Sequence, residues 1–171
     1  MNIIEVKKQL HVVGICPARE CQPRLFCTGK FMRKLCSIAG ISHSTYLRSF
    51  NRWNLYGEPE KKSHSAEEDK AAALNVLSLI SNSGVRHSIL ACGSRVASAM
   101  AKVALRDDKV TMPVLSAVSG PRVLLIHIPH PSGRCRLWND PKISAQVRSI
   151  LLMELSESEP AKQLIVPKLC L

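Results

Sequence analysis

Aliphatic runs alternate with segments of helical periodicity along most of this chain. Buried strands are indicated by runs of Val, Ile and Leu bounded by Gly or Pro, at 10–15, 88–92 and 122–129. A further strand is predicted within 46–55, ending near Asn54. Apolar spacing predicts helices over 29–39, from Ser65 to about 81, over 94–105 and over 141–154.

Local signals mark three of the helix starts. Ser65 and Glu68 have the spacing of a capping box. Asp140-Pro141 is a typical start for the last helix, and Ser94 is expected to cap the helix over 94–105.

The alternation of four strands with four helices predicts an α/β fold. It favours a parallel sheet covered by helices on both faces, in one domain of 171 residues. The connection over 106–121 has room for a short irregular strand, and residues 155–171 form either a loose tail or a docked C-terminal segment.

The run that leads into His130-Pro131-Ser132-Gly133 is the most informative strand end. Ligands in open α/β sheets bind beyond the carboxyl ends of the strands, so this turn is either one wall of a site or a tight surface turn. The first strand similarly opens into Cys16-Pro17-Ala18, where a phosphate or base could approach the backbone.

The net charge of the chain indicates a class of binding partner. The chain has 24 Lys and Arg against 13 Asp and Glu, a net charge of +11, which favours nucleic acid first and an anionic membrane a distant second. No apolar run approaches the length of a membrane span, and the N-terminus does not resemble a signal peptide, so we expect an intracellular protein.

The cysteine spacing and the absence of several motifs exclude some cofactors and some classes of enzyme. The seven cysteines include no Cys-x-x-Cys pair, which favours reduced thiols, and the four between 16 and 36 match no zinc spacing. We therefore expect no metal or other cofactor. Walker, Gly-x-Gly-x-x-Gly, His-Glu-x-x-His and Gly-x-Ser-x-Gly motifs are also missing, which removes the commonest hydrolase and dinucleotide-binding functions.

Four features in one order resemble the uracil-DNA glycosylase superfamily. They are the segments at 13–18, at 24–29 running into the helix that ends at Gly40, Asn54-Leu55, and 130–134. The resemblance spans roughly 11–153, and the segment from Pro129 to Arg134 with Trp138-Asn139-Asp140 is most similar to a phage- and bacteria-associated branch.

This resemblance implies a three-layer α/β/α fold around a four-stranded parallel sheet. It implies a pocket for a base flipped out of single- or double-stranded DNA, and hydrolysis of the N-glycosidic bond of uracil or a related modified pyrimidine. It also implies a monomer without a cofactor, because the spacing of the iron–sulfur branches is missing, and a cytoplasmic location, in the host if the protein is phage-encoded.

The resemblance also assigns roles residue by residue. His130 would donate a hydrogen bond to uracil O2 as negative charge develops there. Asn54 would recognise the amide edge of the base, and Phe26 would stack on its face. The water-activating loop would consist of Gly14, Ile15, Cys16, Pro17 and Ala18. The DNA backbone would be held by Ser132, Gly133, Arg134 and Arg136.

Several of these residues have a simpler interpretation. Phe26 fits a core position, Asn51 replaces Asn54 if the strand ends three residues earlier, and Arg134 and Arg136 fit ordinary surface charges. His127, within a strand, is expected to be a buried structural histidine, and the segment 138–140 could serve only to cap the last helix.

Cys16 is the main departure from the family pattern. Many branches have Asp or Asn at this position to align the attacking water, and a thiol is a weaker hydrogen-bonding group. One branch with an apolar residue there is nevertheless active. Three functions therefore remain open: a DNA glycosylase, a catalytically silent protein that binds DNA, a base or a nucleotide, and a basic nucleic-acid protein whose pocket is vestigial. A nucleophilic role for Cys16 lacks an adjacent base.

Overall fold

The computed structural model describes residues 8–15, 30–57, 64–81, 85–120, 122–131 and 135–158. This part of the chain forms one five-stranded sheet with five α-helices. The strands are β1 (Lys8–Gly14), β2 (Phe50–Asn54), β3 (Arg86–Cys92), β4 (Ala117–Ser119) and β5 (Val123–Ile128). The helices are α1 (Lys30–Ala39), α2 (His43–Ser49), α3 (Ala66–Ser81), α4 (Ser94–Leu105) and α5 (Pro141–Ser156), with a 3₁₀ turn over Arg136–Asn139.

The sheet confirms an α/β fold but corrects the prediction of a purely parallel, four-stranded sheet. Its order is β2-β1-β3-β5-β4, and β4 pairs antiparallel with β5 while the other neighbours are parallel. The chain reverses at Gly120, whose N–H donates to the carbonyl of Val123 at 2.8 Å. A strand of three residues is too short to show a periodic pattern, so β4 appeared in the sequence only as an irregular connection.

The second predicted strand is also partly wrong. Residues 46–49 belong to α2, and only Phe50–Asn54 is a strand. Ser42 caps α2 by accepting a hydrogen bond from the Thr45 N–H at 3.1 Å. Tyr46 and Phe50, four residues apart, then stack in the core with ring centroids 5.0 Å apart. Aromatic residues favour strands, but here the Ser42 cap and the packing of Tyr46 on Phe50 in the core stabilise a short helix that ends just before β2.

Helices cover both faces of the sheet because successive strand residues point to opposite sides. On one face, Leu10, Val12 and Ile126 belong to a core cluster with residues of α1, α2 and α5. On the other face, Val13, Ile89 and Leu125 pack with α3 and α4.

Two of the predicted helix starts are confirmed by their hydrogen bonds. The Glu68 N–H donates to Ser65 Oγ at 3.2 Å, and a Glu68 carboxylate oxygen accepts from the Ser65 N–H at 2.6 Å. Asp140 caps α5 by accepting from the Lys142 N–H at 2.8 Å, with Pro141 as the first helical residue. The prediction for Ser94 is wrong by one residue: Gly93 occupies the cap position of α4, and Ser94 is already helical.

No helix within these described segments is long and apolar enough to cross a membrane. The cysteines that fall in them, Cys36, Cys92 and Cys135, are free thiols. The described residues also contain no group of three or more His, Cys, Asp and Glu side chains arranged to hold a metal ion.

Candidate active site

The four parallel strands end at one edge of the sheet, and this carboxyl edge carries four of the predicted site residues. In the register of β1 and β2, Gly14 lies opposite Asn54. The pairing continues past the strands, because the N–H of Leu55 donates to the Gly14 carbonyl at 2.9 Å and that of Tyr56 to the Ile15 carbonyl at 3.0 Å. Asn54 is therefore the residue at the strand end, as predicted, and Asn51 lies within the strand opposite His11.

His130 lies at the same edge, two residues after β5. Cys92 pairs with Ile128, and the N–H of Gly93 donates to the Ile128 carbonyl at 2.9 Å, which brings the ends of β3 and β5 together. The ring of His130 then packs over Gly93 at the start of α4. A β-carbon added at Gly93 would lie 3.1 Å from Cβ of His130 and 3.4 Å from its Cδ2.

Gly93 is required here for two independent reasons. Its φ of 90° and ψ of 154° lie in a region that only glycine adopts readily. The contact with His130 also leaves no room for a side chain. The glycine thus lets the imidazole lie directly on the turn between β3 and α4.

Trp138 holds the backbone of His130. Its indole N–H donates to the backbone carbonyl of His130 at 2.8 Å. Lys34 of α1 places its ammonium 5.2 Å from the centre of the indole ring, within the range of a cation–π contact. Asp140 alone provides the helix cap, so Trp138 has a separate part in this site, which the sequence did not reveal.

Burial sets the protonation state of His130. The side chain is partly buried, and desolvation lowers its pKa below the ordinary value of 6.5. The imidazole is therefore neutral at pH 7, with one N–H to donate and one nitrogen lone pair to accept. A neutral donor at this edge can stabilise negative charge that develops on a bound oxygen.

A second polar cluster links the end of β2 to the start of α4. Asp69 is buried and accepts hydrogen bonds from the Tyr56 hydroxyl at 2.6 Å and from Arg95 Nε at 2.6 Å. A further Arg95 nitrogen donates to Asp69 at 2.9 Å and to the His64 carbonyl at 3.2 Å. The His64 ring stacks on Tyr56 with centroids 3.8 Å apart.

This polar cluster connects the segment after β2 to the start of α4 at the carboxyl edge of the sheet. Burial would raise the pKa of Asp69, but the bonds from Arg95 and Tyr56 outweigh it and hold the pKa below the ordinary value. The carboxylate therefore stays ionised and joins Tyr56, two residues after Asn54, to Arg95, two residues after Gly93. Sequence reasoning missed this network, because the only signal it identified at the start of α3 was the capping box of Ser65 and Glu68.

Two histidines form a buried pair deeper in the sheet. Nε2 of His11 lies 3.1 Å from Nδ1 of His87, and the indole N–H of Trp53 donates to Nδ1 of His11 at 3.0 Å. The prediction that His127 is buried and structural is confirmed: it is 1% exposed, and its Nδ1 lies 2.8 Å from the Met112 carbonyl.

The other predicted site residues divide into two groups. Ile15 is partly exposed beside Gly14, and Arg136 is exposed at the start of the 3₁₀ turn. The rest lie outside the described residues, and their roles stay predictions: Cys16, Pro17, Ala18, Phe26, Ser132, Gly133 and Arg134.

Comparisons with protein-family models and with curated proteins returned no match to this chain. An assignment of function therefore rests on the residues themselves and on their placement at the carboxyl edge.

Proposed function

We propose that the protein is a DNA glycosylase of the uracil-DNA glycosylase type, with the three-layer α/β/α fold of that superfamily. Its substrate would be uracil, or a related modified pyrimidine, flipped out of DNA. The observation that carries the proposal is the shared edge of Asn54 and His130, the two side chains that the resemblance assigns to the polar atoms of the base.

The strand order supports a cavity between these two residues. Asn54 ends β2 and His130 follows β5, so β1 and β3 lie between them, a separation of three strand spacings or about 14 Å. Of the two central strands, β1 ends at Gly14, which has no side chain to fill that space, while β3 ends at Cys92 and is followed by Gly93, on which the His130 ring packs. A planar base could thus lie against backbone between the amide and the imidazole.

The chemistry follows from the neutral state of His130. When the N-glycosidic bond breaks, the electrons stay on the base, and negative charge grows on the pyrimidine O2. A preorganised N–H donor in a partly desolvated site stabilises that charge more than it stabilises the neutral substrate. Water adds to the sugar carbon and releases a proton, which neutralises the base anion, and Asn54 holds the amide edge of the base.

Binding to the DNA backbone is supported by the charge of +11. The resemblance gives Ser132, Gly133, Arg134 and Arg136 this role, and Phe26 that of stacking on the base. We propose that the protein acts as a monomer inside the cell.

One observation favours a second function, binding without catalysis. Cys16 stands where many branches have the carboxylate or amide that aligns water, and a thiol orients water poorly. The same site would then hold DNA, a base or a nucleotide without turnover.

The test uses single- and double-stranded oligonucleotides that carry one uracil or hydroxymethyluracil, followed by alkaline cleavage. We expect cleavage by the wild type and a loss of roughly 100- to 1000-fold in rate for His130→Ala, the usual effect of one oxyanion donor. His43→Ala, at an exposed position of α2, is the matched control and should retain full activity.

Two results would contradict the proposal, the first for the role of His130 and the second for the enzyme as a whole. Turnover unchanged in His130→Ala would remove the assigned role of this residue. No cleavage at stoichiometric protein, together with DNA binding that weakens steeply with salt, would support the catalytically silent protein instead.

A further inference from the structure

The surface formed by α3 and α4 carries a groove that the proposed glycosylase chemistry does not use. It consists of two adjoining clefts of about 450 Å³ and about 360 Å³, which share Leu74, Val103 and Arg106. The second cleft reaches Val123, the first residue of β5. This α3–α4 groove therefore extends toward the amino edge of the sheet, away from His130.

The groove exposes aliphatic surface. Leu74 is 59% exposed, while its neighbours in α3, Ala73 and Leu77, are buried in the core. Together with Val103 of α4, Leu74 gives both clefts an apolar wall. A large aliphatic side chain at the junction of two clefts is typical of a surface that receives apolar groups of a ligand.

The positively charged residues of the groove differ in whether they form an ion pair. Lys70 is neutralised by Asp108, with Nζ and a carboxylate oxygen 2.6 Å apart. Arg106 and Arg122 have no ion pair or side-chain hydrogen bond within the described part of the chain. Among the described residues that line the second cleft, they are also the only charged ones. This end of the groove is therefore apolar and positively charged.

Arg106 caps the C-terminus of α4 in a backbone conformation that usually favours glycine. It ends α4 in the left-handed conformation, with φ 55° and ψ 38°, and its N–H bonds to the carbonyls of Lys102 and Val103. Glycine would take this position without steric cost. An arginine there instead brings a guanidinium to the junction of the two clefts.

We propose that the α3–α4 groove binds an acidic, amphipathic peptide segment of a partner protein. Its aliphatic side chains would pack on Leu74 and Val103, and its carboxylates would pair with Arg106 and Arg122. Guanidinium groups bind carboxylates through two parallel hydrogen bonds, which gives such a segment both affinity and orientation.

DNA fits this surface less well. Phosphates need a continuous positive surface, whereas in the first cleft Asp108 neutralises Lys70 and Glu67 adds a negative charge. The apolar wall also offers no donor to a phosphate. An amphipathic peptide uses both properties of the groove, and the proposal does not depend on glycosylase activity.

The test is selection of peptides from a random library displayed on phage, against the full chain. We expect recovered peptides in which Asp or Glu flanks Leu, Ile or Phe. Arg106→Gly, which suits the left-handed backbone and removes only the side chain, should weaken their binding at least about tenfold, as should Arg122→Gln. Arg148→Gln, an exposed position on α5, removes the same charge on the opposite face of the sheet and should leave binding unchanged.

The proposal is overturned by any of three outcomes. Selection yields no binding peptide, the recovered peptides lack acidic residues, or Arg106→Gly and Arg122→Gln bind them as tightly as the wild type. Weaker binding of a duplex oligonucleotide by these two variants, with peptide binding intact, would assign the groove to DNA. Thermal unfolding of Arg106→Gly at or above the wild-type temperature shows that a loss of binding is not a loss of fold.

Discussion

The side chain of His130 lies directly on Gly93, so close that a single added methyl group at Gly93 would lie 3.1 Å from Cβ of His130 and 3.4 Å from its ring atom Cδ2. The turn that starts α4 and the residue proposed to stabilise the leaving base are therefore one packed unit. Any side chain at position 93 must displace the imidazole or the backbone beneath it.

Gly93→Ala should damage both stability and activity. Alanine strains a backbone with φ 90°, at a cost of about 1–3 kcal/mol, and pushes His130 away from the edge. We expect a lower midpoint in urea and a glycosylase rate that falls toward that of His130→Ala. Gly57→Ala is the matched control, because a methyl group there meets nothing within 4 Å. Full activity in Gly93→Ala would show that the position of His130 is not critical.

The pH dependence of turnover should lack a histidine break near 6.5. Because burial lowers the pKa of His130, the imidazole takes up its proton at a more acidic pH than an ordinary histidine does. We expect the acidic fall of kcat/KM on a uracil oligonucleotide to have its midpoint below pH 6.5 and the rate to level off as the pH rises above it. A rise through pH 6.5 with the profile of an unperturbed histidine would contradict a desolvated, neutral donor.

The buried pair of histidines should make the fold sensitive to mild acid. Burial first, and the neighbouring His87 second, lower the pKa of His11 to about 3. The unfolded chain takes up this proton near pH 6.5 and the folded chain does not, so stability is complete above pH 6.5 and falls as the pH drops toward 3. The slope from this group approaches about 1.4 kcal/mol per pH unit.

Urea unfolding of the wild type and of His11→Gln between pH 7.5 and 4.5 measures this contribution. Glutamine keeps hydrogen-bonding capacity toward Trp53 but does not titrate, so the variant should show a shallower loss of stability. Above pH 4.5, Asp69 contributes little, because its lowered pKa places its loss of stability at more acidic pH. Parallel curves for the two proteins would mean that His11 is protonated in the folded state.

Replacing only one partner of the ion pair between β1 and α5 should lower the stability of the fold. Glu154 is fully buried, and one carboxylate oxygen lies 2.7 Å from Nζ of Lys8. Lys8→Met leaves this carboxylate buried without its cation, which should lower the free energy of unfolding by about 3–5 kcal/mol. The double variant Lys8→Met with Glu154→Met should recover most of that loss in the same chemical denaturation experiment. Equal stability of the single variant and the wild type would show that the pair contributes nothing.

Local signals explain what could be predicted about the fold. The aliphatic runs of β1, β3 and β5, the capping box of Ser65 and Glu68, and the Asp140-Pro141 start each involve residues within a few positions of one another. Each of these signals depends on interactions within a short segment of chain. The α/β fold, four of the strands and most helix bounds could therefore be predicted from the sequence.

Only the tertiary structure decided which segments of the chain contact one another. The antiparallel β4 exists because the chain reverses at Gly120 and finds the free edge of β5. Residues 46–49 became helical because Tyr46 and Phe50 stack in a core formed by other elements. Neither outcome is encoded in the periodicity of the segment itself.

The candidate site, too, could be predicted from the sequence only in part. The sequence by itself placed Asn54 and His130 at strand ends, since a strand end is a local property, and parallel strands bring such ends to one edge. It did not show that Trp138 holds the carbonyl of His130, or that Asp69 joins Tyr56 to Arg95. These bonds link residues up to 26 positions apart on different elements, and only the packing of those elements decides which side chains meet.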